Sequence, residues 1–163
     1  MKKLALSLIS LAILLIGGGF VYLKFSPPLV AFQSGYSTDK QVLLVEVGNK
    51  NAFGEIEIQD VLVNNNSKPS DMKLQLSNPN NGFIITNHFN GDEASEYTFK
   101  DINELKLEPK TDPQEQLDKV NSGTATEDDP IYAVTLVHSE SINRVIIHYN
   151  YLGLSFEKEV SIQ

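Results

Sequence analysis

The histidines are the first side chains to consider for chemistry, because a histidine held by a carboxylate can activate a hydroxyl nucleophile. Period-two patterning near the carboxyl terminus places His148 opposite Glu157 in a predicted hairpin, with Ser155 on the same face. The alternative is an exposed cross-strand ion pair, which is common in sheets and contributes little stability. The sequence favours the ion pair, so no catalytic residue is assigned.

Zinc coordination is the second chemistry that histidines suggest. A tight turn at residues 140–142 would pair the strands on either side and set His138 and His148 about four residues, or ~13 Å, apart. That separation is too large for one metal ion, and His88 is most simply a turn residue. Cysteine is absent from the chain, which excludes thiolate ligands and disulfide bonds. The sequence predicts no cofactor and no metal-binding residue.

Loop acids are the remaining chemical candidates, since calcium sites and glycan hydrolysis both use carboxylates. They stand at Glu127-Asp128-Asp129, at Asp92-Glu93 and at Asp39. Their spacing matches no EF-hand loop, and runs of like charge usually stay in water. A solvated acidic surface is the favoured interpretation. A calcium-stabilised adhesion domain and a carboxylate-dependent hydrolase of cell wall or glycan stay as alternatives.

Charge is distributed unevenly along the 163 residues. All 21 acids follow Lys24, and the 11 lysine and arginine residues from Lys24 onward leave that part with a formal charge of −10. Nucleic-acid binding requires a basic footprint and is therefore not expected. A partner of this part should be basic or should present cations.

The amino-terminal segment has the pattern of a membrane anchor. Lys2 and Lys3 precede an uncharged run at residues 4–23, and Lys24 closes it. A helix of about twenty residues measures ~30 Å, the thickness of the hydrocarbon core, and the leading lysines favour a cytoplasmic amino terminus. We therefore expect a single-pass protein of the cell membrane that contacts the lipid bilayer through residues 4–23 and exposes its carboxy-terminal domain outside the cell.

A cleaved signal peptide is the alternative to an anchor, with an apolar core at residues 4–16 and small residues at 17–19. The apolar run continues past these glycines to Leu23, which favours the anchor. The predicted organisation is an anchor or uncleaved signal at 1–25, a linker at 26–35 and an extracytoplasmic domain at 36–163.

Most of the domain alternates between apolar and polar residues, the period of β-strands. The predicted strands are 41–47, 55–63, 72–76, 83–86, 97–102, 131–138, 142–151 and 154–162. The alternation changes phase at Gln59 and Asp60, which predicts a β-bulge or a crossing between sheets. The last two strands face one core only if a two-residue turn at Leu152 and Gly153 pairs Tyr149 with Phe156.

One short helix is predicted after residue 112. Asp112 is suited to cap it, Pro113 to begin it and Gly123 to end it. Leu117 and Val120 share one face, and the helix should be stable only if that face packs on the sheets.

The order of these strands resembles the immunoglobulin-like sandwiches of exported bacterial proteins. The residues that carry the resemblance are Ile56-x-Ile58-x-x-Val61-x-Val63-Asn64-Asn65 and Val145-x-Ile147-x-Tyr149-x-Tyr151-Leu152-Gly153. The chain is also similar to small single-anchor envelope proteins of Gram-positive bacteria. Over residues 28–163 the resemblance implies a mainly β fold, an immunoglobulin-like antiparallel β-sandwich of about seven or eight strands with one short helix, preceded by an N-terminal transmembrane helix. It implies no functional residues.

The expected function is that of an accessory protein, because these residues form no recognisable active site. We expect a membrane-anchored extracytoplasmic binding module without catalytic activity of its own, in contact with another envelope protein. Its binding surface would be the asparagine-rich loops at the ends of the sandwich, or an edge strand such as 41–47 that accepts a partner strand.

Overall fold

Two antiparallel β-sheets and two helices make up the computed structural model, which describes residues 2–162. Within residues 2–25, side chains are described for Ser10, Leu11, Ile13, Leu14, Gly17–Gly19 and residues 21–25. The helices are α1 (Lys2–Phe25) and α2 (Pro113–Ser122), and Asp92–Ala94 form a 3₁₀ turn. The strands are β1 (Leu29–Tyr36), β2 (Val42–Asn49), β3 (Ile56–Val63), β4 (Asp71–Ser77), β5 (Thr98–Lys100), β6 (Ile131–Val137), β7 (Arg144–Tyr151) and β8 (Leu154–Ser161). The mainly β fold predicted from the sequence is confirmed.

The helix α1 covers the segment that the sequence predicts to be an anchor. Among the residues whose side chains are described, no helix is both long and apolar enough to cross a membrane. The predicted span at residues 4–23 lies partly outside those residues, so the anchor stays a prediction. In the last turn of α1, Leu23 packs against the core of the sheets.

The strand order joins distant parts of the chain. The first sheet has the order β1-β2-β6-β4-β5 and the second sheet the order β3-β7-β8. The chain changes sheets after β2, β3 and β6, so most strand contacts are nonlocal. One end of the sheets holds Leu29, Asn49 and Tyr151 and is called the α1 end; the opposite end, which holds Val63 and Arg144, is called the far end.

One hydrophobic core lies between the two sheets. Leu43, Val45 and Val47 enter it from β2, and Ile147 and Tyr149 enter it from β7. Because successive side chains of a strand point to opposite faces, the alternation in the sequence places every second residue inside. Each large apolar side chain buried in this way stabilises the fold by about 1.5–3 kcal/mol.

The predicted linker at 26–35 is wrong in its extent. Leu29–Tyr36 form β1, and Leu29 and Ala31 enter the core. A bulge between Gln33 and Gly35 interrupts the period, which explains why the strand is hard to recognise in the sequence. Since β1 pairs with one side of β2 and β6 pairs with the other, β2 is an interior strand and not the edge strand that the sequence suggested.

Several local predictions are confirmed. The register of β3 against β7 shifts between Ile58 and Asp60, so the change of phase is a β-bulge. The β7–β8 hairpin pairs Tyr149 with Phe156, whose ring centroids lie 5.4 Å apart. The predicted strand at 83–86 is wrong, because this segment has irregular backbone structure.

The predicted hairpin between 131–138 and 142–151 is also wrong. The chain crosses from β6 in the first sheet to β7 in the second, and Ile142 in the crossing is buried in the core. The inward residues of β6 have even numbers, such as Val134, whereas those of β7 have odd numbers, such as Val145. A hairpin with the predicted even index sum would pair even with even and turn one of the two sets toward solvent.

Candidate functional site

His148 and Glu157 face each other on the outer surface of the second sheet, as predicted. His148 Nε2 lies 3.1 Å from Glu157 Oε2. The nearby Ser155 hydroxyl does not contact the histidine, because it donates a hydrogen bond to Asn150 Oδ1 at 2.8 Å. This arrangement fits an exposed ion pair and lacks the hydroxyl–imidazole contact that an activated nucleophile needs.

The other histidines lie elsewhere. His138 follows β6 in the first sheet, so it is not a same-sheet neighbour of His148 in β7. His88 lies in a loop, where its backbone N–H donates to Thr86 Oγ1 at 3.1 Å. Within the described residues, no group of three or more histidine, aspartate or glutamate side chains is arranged to hold a metal ion.

Two of the loop acids are engaged locally. Asp129 accepts hydrogen bonds from the Lys119 ammonium and from the backbone and hydroxyl of Thr126, and these lower its pKa to about 2. Asp39 accepts from the Ser37 hydroxyl, the main reason that its pKa lies below the usual value. Asp39 therefore stabilises a turn of its own loop, and Asp129 stabilises its loop and joins it to Lys119 of α2.

The remaining loop acids do not converge on those two. Glu127 and Asp128 border a shallow depression that also includes Glu96 and Glu108. Asp92 and Glu93 begin the 3₁₀ turn. The solvated interpretation of these acids agrees with their positions.

The asparagine-rich loops do not form one surface. Residues 64–67 follow β3 at the far end, where Asn64 Nδ2 donates to Ser141 O at 3.0 Å. Residues 78–82 follow β4, whose last residue pairs with the first residue of β6 at the α1 end. The two loops are separated by the length of the strands, so they cannot act as one binding site.

The outer face of the first sheet is covered by residues 78–97 and by α2. The buried Gln75 side chain joins this cover to the sheet: its Nε2 donates to Ile84 O at 2.8 Å and to Thr135 Oγ1 at 2.5 Å. Its Oε1 accepts from Ile84 N–H at 3.2 Å. Because the amide satisfies both backbone groups of Ile84, residues 83–86 can lie on the sheet without forming a strand.

The helix α2 begins directly on β2 because Gly48 has no side chain. A Cβ at this position would lie 1.9 Å from the carbonyl oxygen of Thr111 and 2.7 Å from Pro113 Cδ. Asp112 caps the helix by accepting a backbone N–H of the first turn at 3.0 Å, and Gly123 ends it with a φ of 70°. The predicted helix and its caps are confirmed.

The apolar face of α2 packs differently from the prediction. Pro113 and Gln116 are buried against the sheet, whereas Leu117 and Val120 are 51% and 46% exposed. These two side chains line one wall of a groove between α2 and residues 79–85. The helix is therefore held by its first turn and leaves part of its apolar face accessible.

The groove has a volume of about 420 Å³. Phe83 and Ile85 line it opposite α2, and Leu44 and Glu46 of β2 contribute to it from the sheet. This volume and a mostly apolar lining with a few polar groups are typical of ligand-binding sites.

Glu46 and Gln116 are two of the polar residues that line the groove. The Glu46 carboxylate accepts a hydrogen bond from the Ser34 hydroxyl. The Gln116 side chain donates through Nε2 to Lys110 O at 3.2 Å, while its buried Oε1 has no partner among the described residues. A buried acceptor without a donor costs about 1–3 kcal/mol, and the burial of this oxygen closes it off from the open space of the groove.

Comparison with protein-family models, with curated proteins and with solved structures finds no match to this chain. The groove is not recognisable from the sequence, because its walls come from separate segments of the chain. One signal was present: β2 is apolar at Val42 and Leu44 as well as at the inward Leu43 and Val45, which indicates a strand covered on both faces.

Proposed function

We propose that the chain is a membrane-tethered extracytoplasmic binding module without catalytic activity of its own, and that its groove holds a basic, apolar segment of another envelope protein. The observation that carries this proposal is the groove between α2 and residues 79–85, with the apolar Leu117 and Val120 in one wall. The Glu46 carboxylate supplies a charged hydrogen-bond acceptor in the lining of this groove. Such a site suits a segment that combines aliphatic side chains with N–H donors.

The negative charge of the chain after its amino-terminal segment supports a basic partner. The chain from Lys24 onward holds 21 acids and 11 lysine and arginine residues, a formal charge of −10. A negative field accelerates the association of cations and opposes that of anions. Glu46 inside the groove would then pair with a lysine or arginine of the partner.

The tether is supported by the amino-terminal sequence. Lys2 and Lys3 precede the uncharged run at residues 4–23, whose helical length would match a bilayer. The charge asymmetry favours a cytoplasmic amino terminus and an exported domain.

We also infer an immunoglobulin-like β-sandwich. In such domains the two sheets have the strand orders A-B-E-D and C-F-G. If β5 is treated as an addition at the edge, the other seven strands in chain order, named A to G, follow the same two orders. The strand order thus supports a relationship of architecture, from which no functional residue is transferred.

A peptide titration tests the groove. Two synthetic peptides with alternating leucine and lysine, or leucine and glutamate, would be titrated calorimetrically into the full chain in detergent. We expect the lysine peptide to bind and its affinity to fall as salt is raised, because screening weakens charge attraction. Leu117→Lys together with Val120→Lys should weaken binding by about tenfold or more, since charge enters an apolar wall.

Asn121→Lys is the matched control, because it adds a lysine to an exposed position of α2 outside the groove lining. It should change the affinity by less than about twofold. Equal affinity for the two peptides, or equal losses in the groove and control variants, would contradict the proposed site.

A further inference from the structure

We propose that the α1 end of the domain lies against the membrane, with Phe53 and Leu152 inserted in the interfacial layer of the lipid. The proposal rests on the tether proposed above and adds to it a lipid-binding surface of the domain itself. We call this surface the apolar tip and define it as Phe53 in the β2–β3 loop and Leu152 in the β7–β8 turn.

The two side chains of the apolar tip are exposed and lie on adjacent loops. Phe53 is 63% exposed and Leu152 is 54% exposed. The Tyr151 hydroxyl donates to Phe53 O at 2.6 Å, and a Cβ built on Gly54 would lie 3.0 Å from Leu152 Cδ2. Two different loops are thus held together, and each carries one exposed apolar side chain at their junction.

The backbone conformation of Leu152 independently supports a role for this side chain in an apolar contact outside the domain. Leu152 has a φ of 50° and Gly153 a φ of 77°, the left-handed conformations of a two-residue hairpin turn. Asparagine or aspartate followed by glycine is the usual choice for such a turn, because a leucine is strained there. A leucine that is both strained and exposed contributes nothing evident to the stability of the turn, whereas its side chain suits an apolar surface outside the domain.

The chain connection brings the apolar tip to the end of α1. Residues 26–28 alone separate Phe25 from Leu29, so the Cα atoms of these two residues lie within about 14 Å of each other. Pro28 O then accepts the N–H of Lys50 at 3.1 Å, and Lys50 begins the loop that contains Phe53. A helix inserted in a bilayer would place this loop at the lipid surface.

The charges around the apolar tip are compatible with lipid headgroups. Lys50 and Lys110 are exposed beside it, and Lys110 N–H donates to Asn51 O at 2.9 Å. Glu55 and Glu108 border the same region, and Glu55 lies 3.7 Å from the Lys106 ammonium. Apolar side chains flanked by lysines are typical of surfaces that sit at the membrane interface.

Tryptophan fluorescence tests this orientation, because the chain contains no tryptophan. Phe53→Trp would be introduced into the full chain and reconstituted in vesicles of zwitterionic phosphatidylcholine with brominated acyl chains, because the acidic domain would be repelled by anionic lipid. We expect bromine to quench this tryptophan by about twofold relative to unbrominated vesicles. Asn65→Trp is the control, since eight-residue strands place residue 65 about 25 Å farther along the domain, and it should not be quenched.

The results of the quenching and wash experiments distinguish lipid contact by the apolar tip from membrane anchoring by the amino-terminal segment. One outcome is that the protein stays with the vesicles after an alkaline carbonate wash while the tryptophan of the Phe53→Trp variant is not quenched. The proposal that the apolar tip inserts in lipid is then wrong, and the proposal that residues 4–23 anchor the chain is retained. If the protein is released by the wash, both proposals are wrong. Quenching at both positions to the same extent would also overturn the orientation.

A second variant distinguishes lipid contact from a structural role. Leu152→Asn restores the residue preferred in this turn, so the melting temperature should stay the same or rise. In the Phe53→Trp background it should reduce the quenching, because one of the two inserted side chains is lost. A lower melting temperature with unchanged quenching would assign Leu152 to the fold and not to the membrane.

Discussion

The outer faces of the two sheets differ in what covers them. The first sheet is covered by α2 and residues 78–97, and its outward groups include the buried Gln75 and the side-chain-free Gly48. The second sheet carries exposed ion pairs on its outer face, among them Arg144 with Glu159 at 2.9 Å. The outer face of the first sheet is therefore largely buried, whereas the outer face of the second sheet carries charged side chains in contact with solvent.

The connections between strands explain this difference. Long connections join β4 to β5 and β5 to β6, so residues 78–97 and 101–130 have enough length to cross the first sheet. The β7–β8 connection in the second sheet consists of Leu152 and Gly153. A site can form where a connection folds back on a sheet, because two chain segments then enclose space that a single sheet leaves open.

The largest expected effect comes from Gly48→Ala on the covered face. The new Cβ would overlap the Thr111 carbonyl at 1.9 Å, so the start of α2 must move away from β2. We expect the free energy of unfolding to fall by about 3 kcal/mol, measured by urea denaturation, together with loss of peptide binding.

Gly91→Ala is the matched control for Gly48→Ala. The nearest atom to a Cβ at residue 91 is 3.6 Å away, and φ is −80°, which alanine adopts without strain. Its effect should stay within about 0.5 kcal/mol. Similar losses in both variants would show that the contact between α2 and β2 is not the cause.

The second prediction compares one glutamine on each outer face. Gln75→Ala should lower the free energy of unfolding by about 2 kcal/mol, because it leaves both backbone groups of Ile84 without their partner. Gln59→Ala, at the exposed bulge of β3, should change it by less than about 0.5 kcal/mol. If the two substitutions cost the same, the distinction between a covered and an open face is wrong.

A double-mutant cycle on His148 and Glu157 tests the open face. Both side chains are partly exposed, so the coupling free energy should be below about 1 kcal/mol at pH 6 and should weaken in high salt. The measurement is thermal or urea unfolding of His148→Ala, Glu157→Ala and the double variant. A coupling of several kcal/mol would indicate a buried, functional pair instead.

The smallest effect concerns the ion pair between Lys119 of α2 and Asp129. Hydrogen bonds from Lys119 and Thr126 lower the pKa of Asp129 from 3.8 to about 2 in the folded protein, so the ionised carboxylate with these partners stabilises the fold above pH 3.8. This contribution should be lost as the pH falls toward 2. The stability difference between the wild type and Asp129→Asn should therefore shrink over that interval in acid-unfolding curves.

Asp128→Asn removes the same charge one residue away and is the control for the acid titration. Its stability difference from the wild type should change less over the same pH interval. A difference for Asp129→Asn that stays constant from neutral pH to pH 2 would mean that Lys119 does not hold this carboxylate.

Elements that depend on neighbouring residues were predictable from the sequence. Asp112 and Gly123 bound the helix as expected, and the β7–β8 register follows from the positions of Tyr149 and Phe156. The bulge after Ile58 is visible as a change of phase. In each case the physical cause acts within one helix, one turn or one pair of adjacent strands.

Strand β1 and the groove were not predictable in the same way. β1 is recognised by its pairing with β2, since its bulge at Gly35 hides the period. The groove depends on Leu117 projecting away from the sheet, although the same pattern in a packed helix would bury it. Which side of a short amphipathic helix faces the protein is decided by its docking contact, here the contact at Gly48.

The sequence by itself determined the alternation of the strands, the caps of α2, the last hairpin and the strongly acidic charge after Lys24. The tertiary structure alone decided that β6 and β7 belong to different sheets, that Gln75 holds residues 83–86 on the first sheet, and that the loop of Phe53 lies against the turn of Leu152. The physical reason is the distance along the chain over which each interaction acts. Dihedral preferences and residue periodicity act over a few residues, whereas sheet order and the enclosure of a groove depend on which distant surfaces bury one another.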